Sequence, residues 1–201
     1  MPAPTAAFRY TSPDKTSHNT IGWTSKVLFN YQYTGGQGVL DGDEIFTQIN
    51  TSDVNYKGSY QLPESYFNYP NVNSGRTLKI SMNFLRPFDD NRVRIDTGLY
   101  DVNNDISYII QPENIGYTQA DSGNSLCKYE CYLTHLYGSD HYLQVIGSVV
   151  FPRSAAGITV MTTMWNQVKL DYGINTPFRL SLINRCESTI SVVNLLVEEI
   201  G

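Results

Sequence analysis

One stretch of the sequence, KYECYLTHLYGSDHYLQVIGSVVF at positions 128–151, gathers residue types that bind metals or carry out catalysis. It contains Cys131, His135, Asp140 and His141, and Cys127 stands immediately before it. Thiolate, imidazole and carboxylate groups are all zinc ligands in proteins. Whether they form a site depends on the elements that position them.

The stretch has the alternating pattern of two β-strands. Apolar residues dominate the odd-numbered positions in 126–137 and again in 141–151, so each strand is predicted to bury one face. A hairpin keeps both apolar faces on the same side only if its loop has an odd number of residues, which predicts a three-residue loop at 138–140. The register implies the pairs His135–Leu143, Leu133–Val145, Cys131–Gly147, Tyr129–Val149 and Cys127–Phe151.

In this hairpin the candidate ligands do not converge. Cys127 and Cys131 are four residues apart on one face, about 13 Å by strand rise, whereas a disulfide needs Cα atoms within about 7 Å. His135 and His141 become diagonal neighbours about 7–8 Å apart, with Asp140 in the loop. A metal site there stays open as an alternative, but zinc needs three or four converging ligands. The preferred interpretation is structural, with no metal.

Other motifs give no support for an enzyme. The segment 101–105, DVNND, begins like a calcium loop, but Ile106 stands where glycine is required and Pro112 where glutamate is required. A polar turn is the preferred interpretation. The segment GGQGVLDG has the wrong glycine spacing for a dinucleotide fingerprint. GxSxG, HExxH and P-loop motifs are absent, and three histidines are few for a cupin-type metal enzyme. We expect no catalytic residue and no cofactor.

Composition excludes further classes of protein. The 201 residues carry a net charge of −5 and no run of Lys or Arg, which argues against direct binding to nucleic acid. No apolar run approaches the roughly 20 residues of a membrane span. Residues 1–20 lack the layout of a signal peptide, and three cysteines fit a reducing compartment, so secretion is not expected. Cys127, Cys131 and Cys186 are therefore expected to be free thiols.

Short alternating segments separated by turn signals predict an all-β chain of about eight to ten strands in two antiparallel sheets. The predicted strands are 25–33, 43–49, 76–86, 92–100, 106–110, 126–137, 141–151, 157–164, 177–184 and 188–199. Residues 1–24 have three prolines and no periodicity, so we expect an extended arm at 1–24 and one domain at 25–201.

The final predicted strand is apolar on both faces, which indicates an interior place in a sheet although it comes last. A last strand that lies inside a sheet beside the first predicts a Greek-key closure. The common interior is predicted to contain Leu78, Ile80, Met82, Leu133, Val145, Val149, Leu180, Leu182, Val192 and Leu196.

At this level the chain resembles a single jelly roll of the viral capsid type over residues 25–200. The resemblance rests on strand order, length and composition. It implies a structural subunit in the virion, made in a host cell, that forms a homo-oligomer (a pentamer favoured) and contacts neighbouring capsid proteins. Because the arm has only Arg9 and Lys15 as basic residues, a penton or minor capsid protein away from the genome is the expected role. The chain also resembles trimeric tumour-necrosis-factor-like jelly rolls, so the alternative is a trimeric receptor- or glycan-binding head, of that type or lectin-like.

Two groups of residues are candidates for contacts with partners. Large apolar anchors along the polar arm are expected to pack on a neighbouring subunit: Phe8, Tyr10, Ile21 and Trp23. Aromatic residues in the segment 64–75 are candidates for a binding loop, with a tyrosine-rich packing loop as the simpler interpretation: Tyr66, Phe67 and Tyr69.

Overall fold

The structure is a computed structural model that describes residues 9–11, 18–20, 25–33, 38–49, 60–61, 77–87, 93–101, 104–110, 124–137, 141–152, 159–170 and 178–200. These residues form twelve strands and one helical turn, α1 Ile45–Ile49. The strands are β1 Arg9–Thr11, β2 His18–Thr20, β3 Ser25–Gln32, β4 Tyr60–Gln61, β5 Thr77–Pro87, β6 Ile95–Asp101, β7 Ile106–Ile110, β8 Asn124–Tyr137, β9 His141–Pro152, β10 Thr159–Leu170, β11 Phe178–Asn184 and β12 Ser191–Ile200. Within this part of the chain no helix has the length and apolar character needed to cross a membrane.

The strands form two main antiparallel sheets. One has six strands in the order β10-β9-β8-β5-β12-β3, and the other has four in the order β4-β11-β6-β7. Strands β1 and β2 pair with each other in a separate two-stranded ladder. The nine longer strands confirm the prediction of an all-β sandwich.

The chain crosses between the two sheets in jelly-roll order. Strands β3, β5, β8 and β12 lie in the six-stranded sheet, whereas β4, β6, β7 and β11 lie in the other. The closing strand β12 lies between β3 and β5, as its two apolar faces predicted. The hairpin β9–β10 is an addition to the eight-stranded pattern and extends the larger sheet beyond β8.

The register of the β8–β9 hairpin agrees with the parity argument. Tyr137 pairs with His141 around the three-residue connection, and Leu133 pairs with Val145. Four of the five predicted pairs are present, and the fifth, Cys127–Phe151, lies just beyond the last paired residues. The described side chains at odd positions, from Cys127 to Leu133 in β8 and from Leu143 to Phe151 in β9, are buried apart from Gly147.

The core lies between the two main sheets. In β5 the buried residues alternate strictly with more exposed ones, from Leu78 to Phe84. Nine of the ten predicted core residues are buried: Leu78, Ile80, Met82, Leu133, Val145, Val149, Leu180, Leu182 and Val192.

The tenth prediction, Leu196, is wrong because β12 contains a bulge. The pairing with β5 shifts between Val192 and Asn194, which adds one residue to β12 at Val193. An extra residue reverses the parity of the strand. Leu195 and Val197 are therefore buried beyond the bulge, and Leu196 is only partly buried.

The predicted strand at 43–49 is also wrong, since Ile45–Ile49 is a helical turn. Two neighbours, Ile45 and Phe46, are both buried, and adjacent residues of a strand cannot point to the same side. The turn brings both into the core, where the Phe46 ring packs edge-on against Phe29 with centroids 5.1 Å apart.

Candidate assembly surface

The outer face of the six-stranded sheet carries large apolar side chains where β8, β9 and β10 pair. Directly paired residues share a face, so Tyr132, Ile146 and Trp165 form one row across the three strands. Two rows away, Met161 of β10 pairs with Val150 of β9, which pairs with Lys128 of β8. The register of these strands thus places apolar residues side by side on the outside of the sandwich.

Several of these side chains are highly exposed. Met161 is 64% exposed, Trp165 60%, Leu126 57% and Ile146 48%. We call the exposed apolar residues of this face the outer patch, which comprises Leu85, Leu126, Tyr132, Ile146, Met161 and Trp165. Exposed apolar side chains grouped on one face of a sheet make that face a candidate for contact with another molecule.

On this face the charged residues of β5 and β8 compensate one another, and β10 contributes one charged residue, Lys169 near its end. Lys128 Nζ lies 3.1 Å from Glu130 Oε2, and Lys79 Nζ lies 4.0 Å from the same oxygen. In the row between Met161 and Trp165, β10 and β9 contribute the neutral residues Thr163 and Ser148, and β8 contributes Glu130. The β9–β10 part of the outer patch is therefore apolar with neutral polar residues between.

A depression of about 350 Å³ opens on the same face beside Met161. Its lining is mostly apolar and comprises Asn83, Leu126, Cys127, Lys128, Val150, Phe151 and Pro152. Beneath it, the guanidinium carbon of the buried Arg86 lies 6.0 Å from the centroid of the Phe151 ring, a cation–π distance. The depression offers room for an apolar side chain from outside.

The cysteines of the opening stretch lie in the core and carry thiols, not disulfides. Tyr129 Oη forms a short hydrogen bond with Thr97 Oγ1 of β6, which links the two sheets inside the core. Burial raises the pKa of the neighbouring Cys131 thiol to about 12, although hydrogen bonds from Tyr129 and Thr97 act in the opposite direction. Since the thiolate is the nucleophilic form, Cys131 is a structural residue at neutral pH.

A buried ion-pair group joins β6 to the loop after β11. Asp96 is fully buried; Arg94 Nε donates to its Oδ1 at 2.6 Å, and Arg185 Nε donates to its Oδ2 at 3.1 Å. The backbone N–H of Arg185 also donates to the carbonyl oxygen of Arg94 at 2.9 Å. Both carboxylate oxygens are engaged, so this group holds two segments together.

Glu44 is a partly buried carboxyl group whose pKa is strongly shifted. The backbone N–H of Leu182 donates to its Oε1 and Ser181 Oγ donates to its Oε2, each at 3.0 Å. Burial raises the pKa of Glu44 to about 8, against the lowering effect of these two hydrogen bonds. Such a pKa suits a general acid, but both oxygens face β11, and this geometry ties α1 to the sheet.

Among the residues that the structure describes, no three His, Cys, Asp or Glu side chains come together as a metal site would require. Asp101, the last residue of β6, accepts hydrogen bonds from the backbone N–H and the side-chain amide of Asn104 at 3.0 and 2.7 Å. The interpretation of 101–105 as a polar turn stays a prediction, because residues 102 and 103 lie outside the described residues. The side chains of His135 and His141 lie outside the described residues.

Most of the predicted contact residues also lie outside the described residues: Phe8, Ile21, Trp23, Tyr66, Phe67 and Tyr69. Tyr10 lies in β1, where its backbone pairs with Asn19 of β2. The sequence interpretation missed the outer patch, because the strand predicted at 157–164 ends before Trp165. Its signal was the presence of apolar residues at both odd and even positions of that segment.

No family model matches the chain, and no curated protein matches its sequence. Among solved structures it is similar to arcelin-5, a lectin-like defence protein from Phaseolus vulgaris. The two share 11% sequence identity with a TM-score of 0.31, over 88% of this chain and 98% of that chain.

Proposed function

We propose that this chain is a structural subunit of a protein shell of the viral capsid type, acting as a penton or minor capsid protein. The observation that carries the proposal is the outer patch on a jelly-roll scaffold. Interface cores are enriched in Trp, Tyr and Met and depleted of charge, which is the composition found around Met161 and Trp165.

The other features of the proposal come from the sequence. The net charge is −5 and the arm has two basic residues. Both features fit a subunit that contacts other capsid proteins and does not bind the genome directly. The resemblance to capsid jelly rolls favours a ring of five copies within a virion. Head-to-tail contacts that close into a ring are one of the two ways in which copies of a chain assemble.

Native mass spectrometry tests the proposal directly. The full chain should give a multiple of its 22.7 kDa mass, with five copies favoured. Replacing Met161 and Trp165 together by Gln should weaken assembly at least tenfold, because two exposed apolar residues are removed from the contact. The matched control is Leu40→Gln, which removes a similarly exposed apolar residue from a loop. A chain that stays monomeric at high concentration would overturn the proposal.

The arm should contribute to assembly more than to folding. Its few apolar residues cannot offset an ordering cost of roughly 1–2 kcal/mol per residue, so we expect Phe8, Tyr10, Ile21 and Trp23 to pack on a neighbouring copy. A variant lacking residues 1–24 should keep the circular dichroism spectrum of the full chain but assemble more weakly. If the truncated chain is unfolded, the arm is part of the core and this prediction is wrong.

A trimeric glycan-binding head is the second candidate, favoured by the surroundings of Trp165. An exposed indole can stack on a sugar ring, and the row beside it contains the paired amides Gln144 and Gln167. Binding of neutral oligosaccharides that quenches tryptophan fluorescence, together with a trimer mass, would favour this function over a shell subunit. Trp165→Gln should abolish such quenching, whereas Leu40→Gln should leave it unchanged.

A further inference from the structure

Strand β10 forms an edge of the larger sheet, and part of it lies close to β7 of the other sheet. It pairs with β9 over all twelve residues with no register shift, and in the described part of the chain it pairs with no strand on its other side. Natural edge strands are blocked by proline, bulges or charged residues. The sequence TVMTTMWNQVKL has no proline, and its only charged residue is Lys169 near the end. Such an edge fits one more extended strand.

We propose that this strand is β10 of a second copy, paired antiparallel about a twofold axis that runs perpendicular to the sheet, midway between the Thr163 residues of the two copies. The inference rests on the proposed function, since it names one of the contacts through which the subunits assemble. In this arrangement Met161 of one copy lies opposite the partner's Trp165, and Trp165 lies opposite the partner's Met161. Thr163 lies opposite its own equivalent.

The faces of the sheet restrict the register. Odd-numbered residues of β10 lie on the outer face, because they pair with the even-numbered residues of β9 that include the exposed Ile146. A joined sheet keeps its outer faces together only if odd residues meet odd residues. One residue of β10 must therefore lie directly opposite its own equivalent, which excludes registers centred between two consecutive residues.

The side chains then select among the remaining registers. An axis at Thr162 would place Met161 opposite Thr163 and Trp165 opposite Thr159, and an axis at Met164 would place Met161 opposite Gln167. Among these three, only the axis at Thr163 pairs Met161 with Trp165, the two most exposed apolar residues among the described side chains of the strand. Sulfur–aromatic contacts and Thr–Thr cross-strand pairs are both favourable.

The joined sheet would also connect apolar surface from one copy to the next. The row of Val150 and Met161 would continue into the partner's Trp165 and the partner's Ile146, with no charged residue in between. Met161 borders the depression lined by Val150, so the partner's indole would lie next to that depression. A closed shell needs twofold contacts between rings as well as contacts within them, and a self-complementary edge supplies the twofold kind.

Disulfide trapping tests the register in the full-length chain. Thr163 is exposed, and a Thr163→Cys variant places two thiols directly opposite each other at a Cα separation of about 4.5–5.5 Å, within disulfide range. The matched control is Gln167→Cys, exposed on the same face of the same strand. In the proposed register its two copies lie eight residues apart, about 27 Å. The native cysteines are all buried and should not interfere.

Under mild oxidation Thr163→Cys should form a covalent dimer at least tenfold faster than Gln167→Cys or the unmodified chain. A second variant, Thr163→Lys, should weaken the dimer at least tenfold, because like charges directly opposite each other repel. Equal cross-linking of the two cysteine variants would overturn the register. Unchanged assembly of Thr163→Lys, with a native mass of several copies, would overturn the β10 contact and leave the shell proposal standing. A strictly monomeric unmodified chain would overturn both.

Discussion

Replacing Gly98 by Ala should lower the free energy of unfolding by about 3 kcal/mol or more, the upper part of the range for overpacking. Gly98 lies in β6, where it pairs with Ile109 of β7 on one side and Ser181 of β11 on the other. A Cβ atom at this position would overlap the carbonyl oxygen of Tyr108 and would lie 2.7 Å from the Cα atom of Ile109. Both obstacles are backbone atoms, so β7 itself would have to move.

Urea denaturation followed by circular dichroism measures this effect. Ser107→Ala is a suitable control, because Ser107 is an exposed residue of β7 in the same hairpin. Removal of its hydroxyl group should change the free energy of unfolding by no more than about 0.5 kcal/mol. A Gly98→Ala variant as stable as the unmodified chain would show that β6 and β7 are farther apart than in this structure.

Stability should fall as the pH rises from about 4.5 to 8, owing to Glu44. Its pKa is about 8 in the folded chain against an ordinary value of 4.5, so between these values the folded state binds more protons than the unfolded state. The stabilising contribution of the protonated carboxyl group is complete below pH 4.5 and is lost as the pH rises through 8. At about 1.4 kcal/mol per pKa unit, the change amounts to a few kcal/mol.

Glu44→Gln provides the matched control, since a neutral amide of the same shape still accepts from the backbone N–H of Leu182. The measurement is the free energy of unfolding of both chains in urea at pH 5, 6.5 and 8. The stability of the Gln variant relative to the unmodified chain should increase with pH. A constant difference, or one that decreases, would mean that Glu44 is ionised in the folded chain.

Much of the sandwich could be predicted because burial on one face of a strand leaves a period of two in the sequence. The β8–β9 register followed from apolar parity alone, and the two apolar faces of 188–199 predicted that β12 lies inside a sheet. Local exceptions to the period were not predictable in the same way. The bulge at Val193 reverses the parity of β12, so Leu195 is buried where an unbroken strand would bury Leu196. Because both positions are leucine, the sequence does not indicate which of them faces the core.

The outer patch was harder to predict for a related reason. An apolar residue at an outward position of a strand is indistinguishable in the sequence from one at an inward position until the register is known. Met161 and Trp165 became recognisable as surface residues only through their pairing with Val150 and Ile146. The hydrogen bond from Ser181 to Glu44 joins residues far apart in the chain, so no local sequence pattern indicates it.

The position of β12 between β3 and β5 has a consequence for synthesis on the ribosome. Strand β3 pairs with β12 along its length, and the first residue of β12, Ser191, is translated long after Gln32 at the end of β3. At about 5–20 residues per second, β3 waits on the order of ten seconds for its partner. During this interval Leu28, Phe29 and Tyr31, which pack against the finished core, are accessible to chaperones.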